Sequence, residues 1–369
     1  MTQAVTQERL LNFSAGPAVL PVPVLERIRD EMMCLPGAGA SVMELSHRSK
    51  EFIVIHDAAK QRLTRLLGIN DSFELLFLQG GSRLQFSMVP LNLMESASAT
   101  AQYILTGSWG KKALEEARKE GNCEVLFDAK ASNYDRLPNL SELNISPEAA
   151  YLHVTSNETI QGVQFGEDID AGSTPVVCDA SSDFLHRPYD MSKYGLMYAC
   201  AQKNAGPAGV TVVVIKKELL ERSKDSLPGY MNYKNHAEAD SMWNTPPTFA
   251  VYVLGLVAEW LEETIGGLEA MHKVNQRKAK LLYDVMDAYP EFYVGHAQKS
   301  DRSLMNVTFR FGSDELQEGF LNSAAESGFV TLKGHRSVGG IRASIYNAMP
   351  IEGVGQLAEF MKDFASRNA

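Results

Sequence analysis

Through its first two thirds the chain alternates short apolar runs with helical stretches, and this alternation limits the possible folds more than any other feature. The runs are Phe73 to Leu78, Thr100 to Leu105, Glu124 to Phe127, Ala150 to Val154, Pro175 to Asp179, Leu196 to Ala201 and Thr211 to Ile215, several bounded by Gly, Pro, Asn or Asp. Continuous apolar runs of this length suit strands covered on both faces. Between some of them lie helical patterns such as Ser108 to Glu120, where Trp109, Lys112, Ala113, Glu116 and Ala117 recur at helical spacing. The pattern predicts an α/β fold with a mostly parallel sheet sandwiched by helices.

From about Pro247 the texture changes. Phe249 to Tyr289 favours one long helical stretch broken near Gly266 and Gly267. Beyond it Asn306 to Phe311 alternates like a strand, Ser313 to Ser327 is helical, Val330 to Lys333 and Gly340 to Tyr346 are strand-like, and Ile351 to Arg367 is an amphipathic helix. The expectation is a large domain over residues 1–260 and a small α+β domain over 261–369, in keeping with a length of 369 residues. No internal repeat or low-complexity tract interrupts this plan.

Charge narrows the function. A net charge of −10 argues against nucleic acid or an anionic membrane as partner, since both call for a basic field. The most apolar stretch, Phe249 to Trp260, is too short to span a bilayer and contains Glu259. The N-terminal segment lacks the pattern of a secretory signal. Cys34, Cys123, Cys178 and Cys200 show neither Cys-x-x-Cys spacing nor a nearby His, so no metal site and no disulfide framework is expected. A cytoplasmic protein is the reading that fits.

Two strand ends suggest chemistry. The run Gly195 to Ala201 leads into Gln202, Lys203 and a turn rich in glycine, and the run Val176 to Cys178 ends in Asp179, 24 residues upstream of the lysine. Either residue alone has a commoner explanation: a lysine that reaches to water, or an aspartate that caps the following turn. Together they supply what pyridoxal 5′-phosphate needs, an amine for its aldehyde and a carboxylate for its ring nitrogen. A third strand end runs into Gln79-Gly80-Gly81-Ser82-Arg83, where glycines opening a helix suit an anion such as a phosphate. It matches neither the P-loop nor the dinucleotide fingerprint.

Several segments together resemble the phosphoserine aminotransferase family, in the class-V branch of the fold-type-I pyridoxal phosphate enzymes. They are Asn12 to Pro17, Ser41 to Arg48, Gly80 to Arg83, Asn157 to Thr159, Ala201 to Gly209, Asn244 to Thr248 and Lys333 to Asn347. The resemblance implies a reversible ping-pong transamination between O-phospho-L-serine and 2-oxoglutarate, in serine biosynthesis. It leaves open whether a phosphorylated hydroxythreonine of pyridoxal phosphate biosynthesis is also a substrate.

By matching position it makes Lys203 the Schiff-base lysine and Asp179 the partner of the ring nitrogen. Trp109 would stack on the ring, Thr159 would bond its phenolic oxygen, and Ser82, Arg83 and Gln202 would hold the phosphate. Asn244 and Thr245 would reach that phosphate from the partner subunit of a homodimer. The substrates carry two separated anions, so the site needs two cationic anchors. Arg342 would fork onto the α-carboxylate, where Arg suits better than Lys, while His47, Arg48, His335 and Arg336 would take the distal anion. The first fifteen or so residues would form an arm near the site, with Ser14 as a substrate contact.

Two positions depart from the family pattern. Ala15 stands where a second serine is common, and Ser82 where a glycine is common, beside Leu84 in place of another small residue. The loop is expected to bind phosphate nonetheless, through the Ser82 N–H and hydroxyl. Two further readings are weighed. Another class-V aminotransferase, of the alanine–glyoxylate type, would have no use for a distal cationic pocket, and a cysteine desulfurase would need a late mobile cysteine that this chain lacks. A non-catalytic anion-binding protein of the same fold would purify colourless.

Overall fold

The computed structural model describes residues 9–368. All seven apolar runs are strands of one sheet: β1 (Phe73–Leu78), β2 (Thr100–Leu105), β3 (Asn122–Asp128), β4 (Leu152–Thr155), β5 (Val176–Asp179), β6 (Tyr194–Cys200) and β7 (Thr211–Lys216). Their order across the sheet is β1-β7-β6-β5-β4-β2-β3. β7 runs antiparallel to both its neighbours, while β6, β5, β4, β2 and β3 pair in parallel.

The sheet is apolar on both faces because each face has its own core. Leu75, Phe77, Met197, Ala199, Val212 and Val214 point into a core shared with Phe52, Leu63, Val251 and Leu254. The alternate residues Leu76, Leu78, Leu196, Tyr198, Val213 and Ile215 meet Phe86, Val89, Leu93 and Leu114 on the other side. This is the period-two geometry of a strand expressed as two layers of helix. Each fully buried side chain of Leu size contributes about 1.5–3 kcal/mol.

Four helices make those layers: α2 (Lys50–Leu67) and α5 (Thr248–Glu259) on the first face, α3 (Gly81–Leu93) and α4 (Ser108–Ala117) on the second. Neither α2 nor α1 (Val22–Glu31) is among the elements expected from the sequence. α2 is nonetheless well delimited locally, with the Ser49 hydroxyl accepting from Phe52 N–H at its start and Gly68 in a left-handed conformation at its end. α2 and α5 cross closely where Gly255 meets Ala59; a β-carbon on Gly255 would lie 3.1 Å from that of Ala59.

A second core lies toward the C-terminus. α6 (Leu268–Ala288), α7 (Asp314–Glu326) and α8 (Ile351–Asn368) pack on a three-stranded antiparallel sheet of β8 (Val294–Gly295), β9 (Asn306–Arg310) and β10 (Ile341–Ser344). The break expected near Gly266 and Gly267 is present: a π-helical turn over Trp260–Ile265 ends there, both glycines have positive φ, and α6 starts afresh. α6 begins in the first core with Leu268 and Met271 and continues in the second with Ala279, Leu282 and Val285. The N-terminal segment joins this second core, since Leu11–Asn12 pairs with Phe329–Val330 and Phe13 is wholly buried there. Among the described residues no helix is long and apolar enough to cross a membrane.

Candidate active site

The strand order makes β5 and β6 neighbours and so brings their carboxyl ends together, the edge where open α/β sheets bind ligands. β6 stops at Cys200, one residue earlier than expected, and Lys203 sits in the turn beyond, where Ala205 and Gly206 both donate to the carbonyl of Ala201. Its ammonium donates to Thr159 Oγ1 at 2.8 Å. Gly16 packs against its stem at a positive φ of 140°, and a β-carbon there would make a tight contact, 3.2 Å from Lys203 Cγ. Burial works against the ammonium, but Cys200 and Tyr346, then Asp179 and Glu158, more than offset it and raise its pKa above the ordinary value.

Asp179 is buried at the end of β5. Its Oδ1 accepts from Ser181 N–H at 3.0 Å, a turn bond rather than a helix cap. Burial raises its pKa, against the pull of Lys203 and Ser181. Lys203 and Asp179 line one cleft of about 370 Å³ together with Ser82, Arg83, Trp109, Thr159, Gln202, His335 and Arg342.

One wall of this cleft is the start of α3. Gly80 and Gly81 both adopt positive φ, with values of 83° and 63°, and the first-turn N–H groups that follow have no acceptor within the helix. Ser82 is helical, so the glycine it replaces is not needed for its conformation. Its hydroxyl shares a 2.6 Å hydrogen bond with Ser181, the residue that also bonds Asp179 and Cys200 N–H.

The opposite wall is Trp109, at the start of α4. That helix has no capping side chain of its own at Gly107. Glu158 takes the place of one, accepting from Trp109 N–H at 3.2 Å and Gly110 N–H at 3.1 Å. Gly107 permits the approach, because a β-carbon there would come within 2.3 Å of the Glu158 carboxyl carbon. Burial raises the Glu158 pKa to about 7, against the two backbone donors. The sequence reading passed over Glu158, since a glutamate is commonly a solvated residue; the signal was a helix opening on Gly107 and Gly110 without a cap.

The mouth is cationic. The guanidinium of Arg342, on β10, makes no hydrogen bond or ion pair among the described residues, and burial lowers its pKa. Lys112 Nζ lies 4.3 Å from the centroid of the Trp109 ring and Arg83 Cζ 5.7 Å. Burial, then Arg342, Lys112 and Arg336, hold His335 below its usual value. Like charges crowded this way favour an anion between them.

Other expected residues stand outside this cleft. Arg336, Arg48, Asn244 and Thr245 are exposed and His47 half-buried. The carbonyl of Thr245 accepts from Gln79 Nε2, next to Gly80. Ser14 spends its hydroxyl on Gly16 N–H, while Ala15 lines the cleft. Of the expected N-terminal arm, residues 1–8 lie outside the described residues.

The residues fit pyridoxal 5′-phosphate on structural grounds. The buried Trp109 Nε1 lacks a protein partner among the described residues, the Asp179 carboxylate lines the cleft, and two glycines open a helix N-terminus facing a lysine across it. A lysine and an aspartate on adjacent strand ends of such a sheet suit a pyridoxal phosphate enzyme, and residues 10–357 match the family Aminotransferase class-V.

Relatives narrow the class. The chain is 58% identical to phosphoserine aminotransferase of Rhodopirellula baltica over 98% of its length and 96% of that protein. It superposes on the phosphoserine aminotransferase of Bacillus circulans subsp. alkalophilus with a TM-score of 0.95 at 46% identity, covering 98% of this chain and 100% of that one. A pyridoxal phosphate-bound phosphoserine aminotransferase from Trichomonas vaginalis gives 0.90 at 39% identity, covering 96% and 100%. The chain belongs to the phosphoserine aminotransferase family.

Proposed function

We propose that the chain is a pyridoxal 5′-phosphate-dependent transferase that moves the amino group of O-phospho-L-serine to 2-oxoglutarate, reversibly, as a step of serine biosynthesis. The observation that carries this reading is one cleft holding Lys203, Asp179 and an unpaired Arg342 together. When bound, the cofactor supplies an electron sink for the electrons of the substrate's α-carbon. Lys203 and Asp179 would hold it at its two reactive positions, with the start of α3, Ser82, Arg83 and Gln202 at its phosphate and Trp109 against its ring.

The protein's own groups do the rest. Lys203 Nζ moves the α-proton as general acid and base, and Thr159, whose Oγ1 lies 2.8 Å from that nitrogen, would bond the ring's phenolic oxygen beside it. The Asp179 carboxylate, which lines the cleft, would accept from the ring nitrogen of the cofactor. Arg342 binds the α-carboxylate with its free fork. His335 and Arg336 meet the distal phosphate of phosphoserine or the distal carboxylate of glutamate.

His47, Arg48, Asn244 and Thr245 serve the cleft of the partner in a homodimer. Support comes from their surroundings: Met43, Ile53, Val54 and Trp243 are exposed large apolar side chains close to them in sequence, a pattern that favours burial against a second copy. The two cores support a division near residue 260, with α6 as the connector. Four free cysteines, two of them buried, support a cytoplasmic setting.

The test is titration of the purified protein with phosphoserine, glutamate and alanine while following the absorbance of bound cofactor. Phosphoserine and glutamate are expected to convert it and alanine to leave it nearly unchanged; indifference to phosphoserine defeats the reading. For the dimer, Lys203→Ala and Arg48→Ala proteins are mixed under exchanging conditions. Recovery of turnover in the mixture supports a shared site, and no recovery assigns Arg48 to its own chain or to neither.

A further inference from the structure

Far from the cleft mouth, one buried lysine has no counter-ion. Lys278, in the middle of α6, is fully buried, and its ammonium makes no ion pair among the described residues. Instead it donates to four backbone carbonyls of a single turn: Ile345 at 3.0 Å, Tyr346 at 2.7 Å, Asn347 at 3.4 Å and Met349 at 3.2 Å. A protonated amine has three N–H groups and no lone pair, so four converging oxygens match the charged form; a neutral amine would aim a lone pair at one of them. Burial pulls the pKa of this group down to about 7, while the four oxygens converging on it are the partners that a protonated amine calls for.

The turn that Lys278 gathers connects β10, which carries Arg342, to α8. It also reaches the lysine of the active site. Asn347 N–H donates to Asn204 Oδ1 at 2.8 Å and Asn347 Nδ2 to the Leu185 carbonyl at 2.8 Å, while Asn204 Nδ2 donates to the Phe184 carbonyl at 2.6 Å. Asn204 directly follows Lys203. From the same turn the Tyr346 hydroxyl donates to the carbonyl of Ala15, which lines the cleft. Asn275, one helical turn before Lys278, bonds Asn347 Oδ1 and the His186 carbonyl and ties α6 to the same point.

We propose that Lys278 is a positioning residue for the reaction: its ammonium acts as a built-in cation that shapes the turn Ile345–Met349, and through Asn347 and Asn204 that turn fixes Lys203. The inference rests on the transamination reading of the cleft. Arg342 is secured separately, by the pairing of β10 with β9 and by the bond from its N–H to the Leu332 carbonyl. Loss of the Lys278 charge therefore affects the step carried by Lys203 more than substrate binding.

The test uses the cofactor-loaded enzyme, with wild type assayed alongside so that an inactive wild type is charged to the functional reading and not to Lys278. Lys278→Met is expected to lower kcat about tenfold with KM for glutamate changed less than about threefold, and to shift the pH midpoint of the bound-cofactor absorbance. Lys278→Ala opens space at the carbonyl cluster. Adding methylammonium or potassium ions is expected to restore part of its kcat and its melting temperature, and tetramethylammonium to restore neither. If Lys278→Met does not fold, the alanine variant with and without methylammonium decides alone. A folded variant with kcat within about twofold of wild type and an unmoved absorbance midpoint overturns the proposal, as does an alanine variant indifferent to every cation.

Discussion

The floor of the cleft and its mouth are built on different principles. At the floor, Lys203, Asp179, Thr159 and Glu158 are held by short protein–protein hydrogen bonds at the ends of adjacent strands or beside them. At the mouth, Arg342 has no partner among the described residues, Arg83 and Arg336 bear on Lys112, and Arg342, Lys112 and Arg336 on His335, each lowering that group's pKa beside burial. Sheet register places the floor and packing holds it rigid. The mouth is an unbalanced charge that its ligand completes. On the proposed function, reaction geometry is set before substrate arrives, while recognition waits for the substrate's two anions.

This contrast is open to attack, with the most severe effects at the floor. Lys203→Ala should lower turnover of phosphoserine with 2-oxoglutarate on the order of a thousandfold, measured in steady state. A loss below tenfold would place the proton-moving group elsewhere. Asp179→Asn should fold normally and lower kcat about a hundredfold, because a neutral amide no longer holds a proton on the ring nitrogen. At the mouth, Arg342→Ala should raise KM for both amino donors about thirtyfold, as expected for a charge-assisted fork, with kcat changed far less. A kcat effect as large as that of Asp179→Asn would erase the distinction between the two regions.

A separate prediction concerns stability, where the effect is spread over the pH range and only part of it falls at any one pH. Glu158 is raised from its ordinary 4.5 to about 7, so between those values the folded chain keeps a proton that the unfolded chain releases. Stability from this group is therefore greatest at low pH and falls as pH rises through that window, by about 3 kcal/mol at most. Glu158→Gln should flatten the dependence of the denaturant midpoint between pH 5 and 8 while keeping an acceptor for Trp109 N–H. An unchanged slope would mean that Glu158 is ionised throughout.

Much of this was legible before any coordinates. The seven apolar runs are the seven strands, because continuous burial on both faces leaves a local signature. Lys203 and Asp179 stood out because each follows such a run. α1 and α2 were missed although Ser49 and Gly68 mark the ends of α2. Glu158 was missed for a different reason: its partners, Trp109 and Gly110, lie 49 and 48 residues away. Lys278 gave no sign at all, as its four acceptors are backbone oxygens and carry no side-chain pattern.

The sequence by itself determined which runs become strands and singled out Lys203 and Asp179 as candidates, since both depend on residue type and local spacing. Only the tertiary structure decided that β5 and β6 are neighbours, that Glu158 caps the helix behind Trp109, and that Arg342 reaches the cleft from a second core. Those are matters of strand order and of contacts across long sequence separation, which arise when buried surfaces and unpaired polar groups are satisfied together in three dimensions.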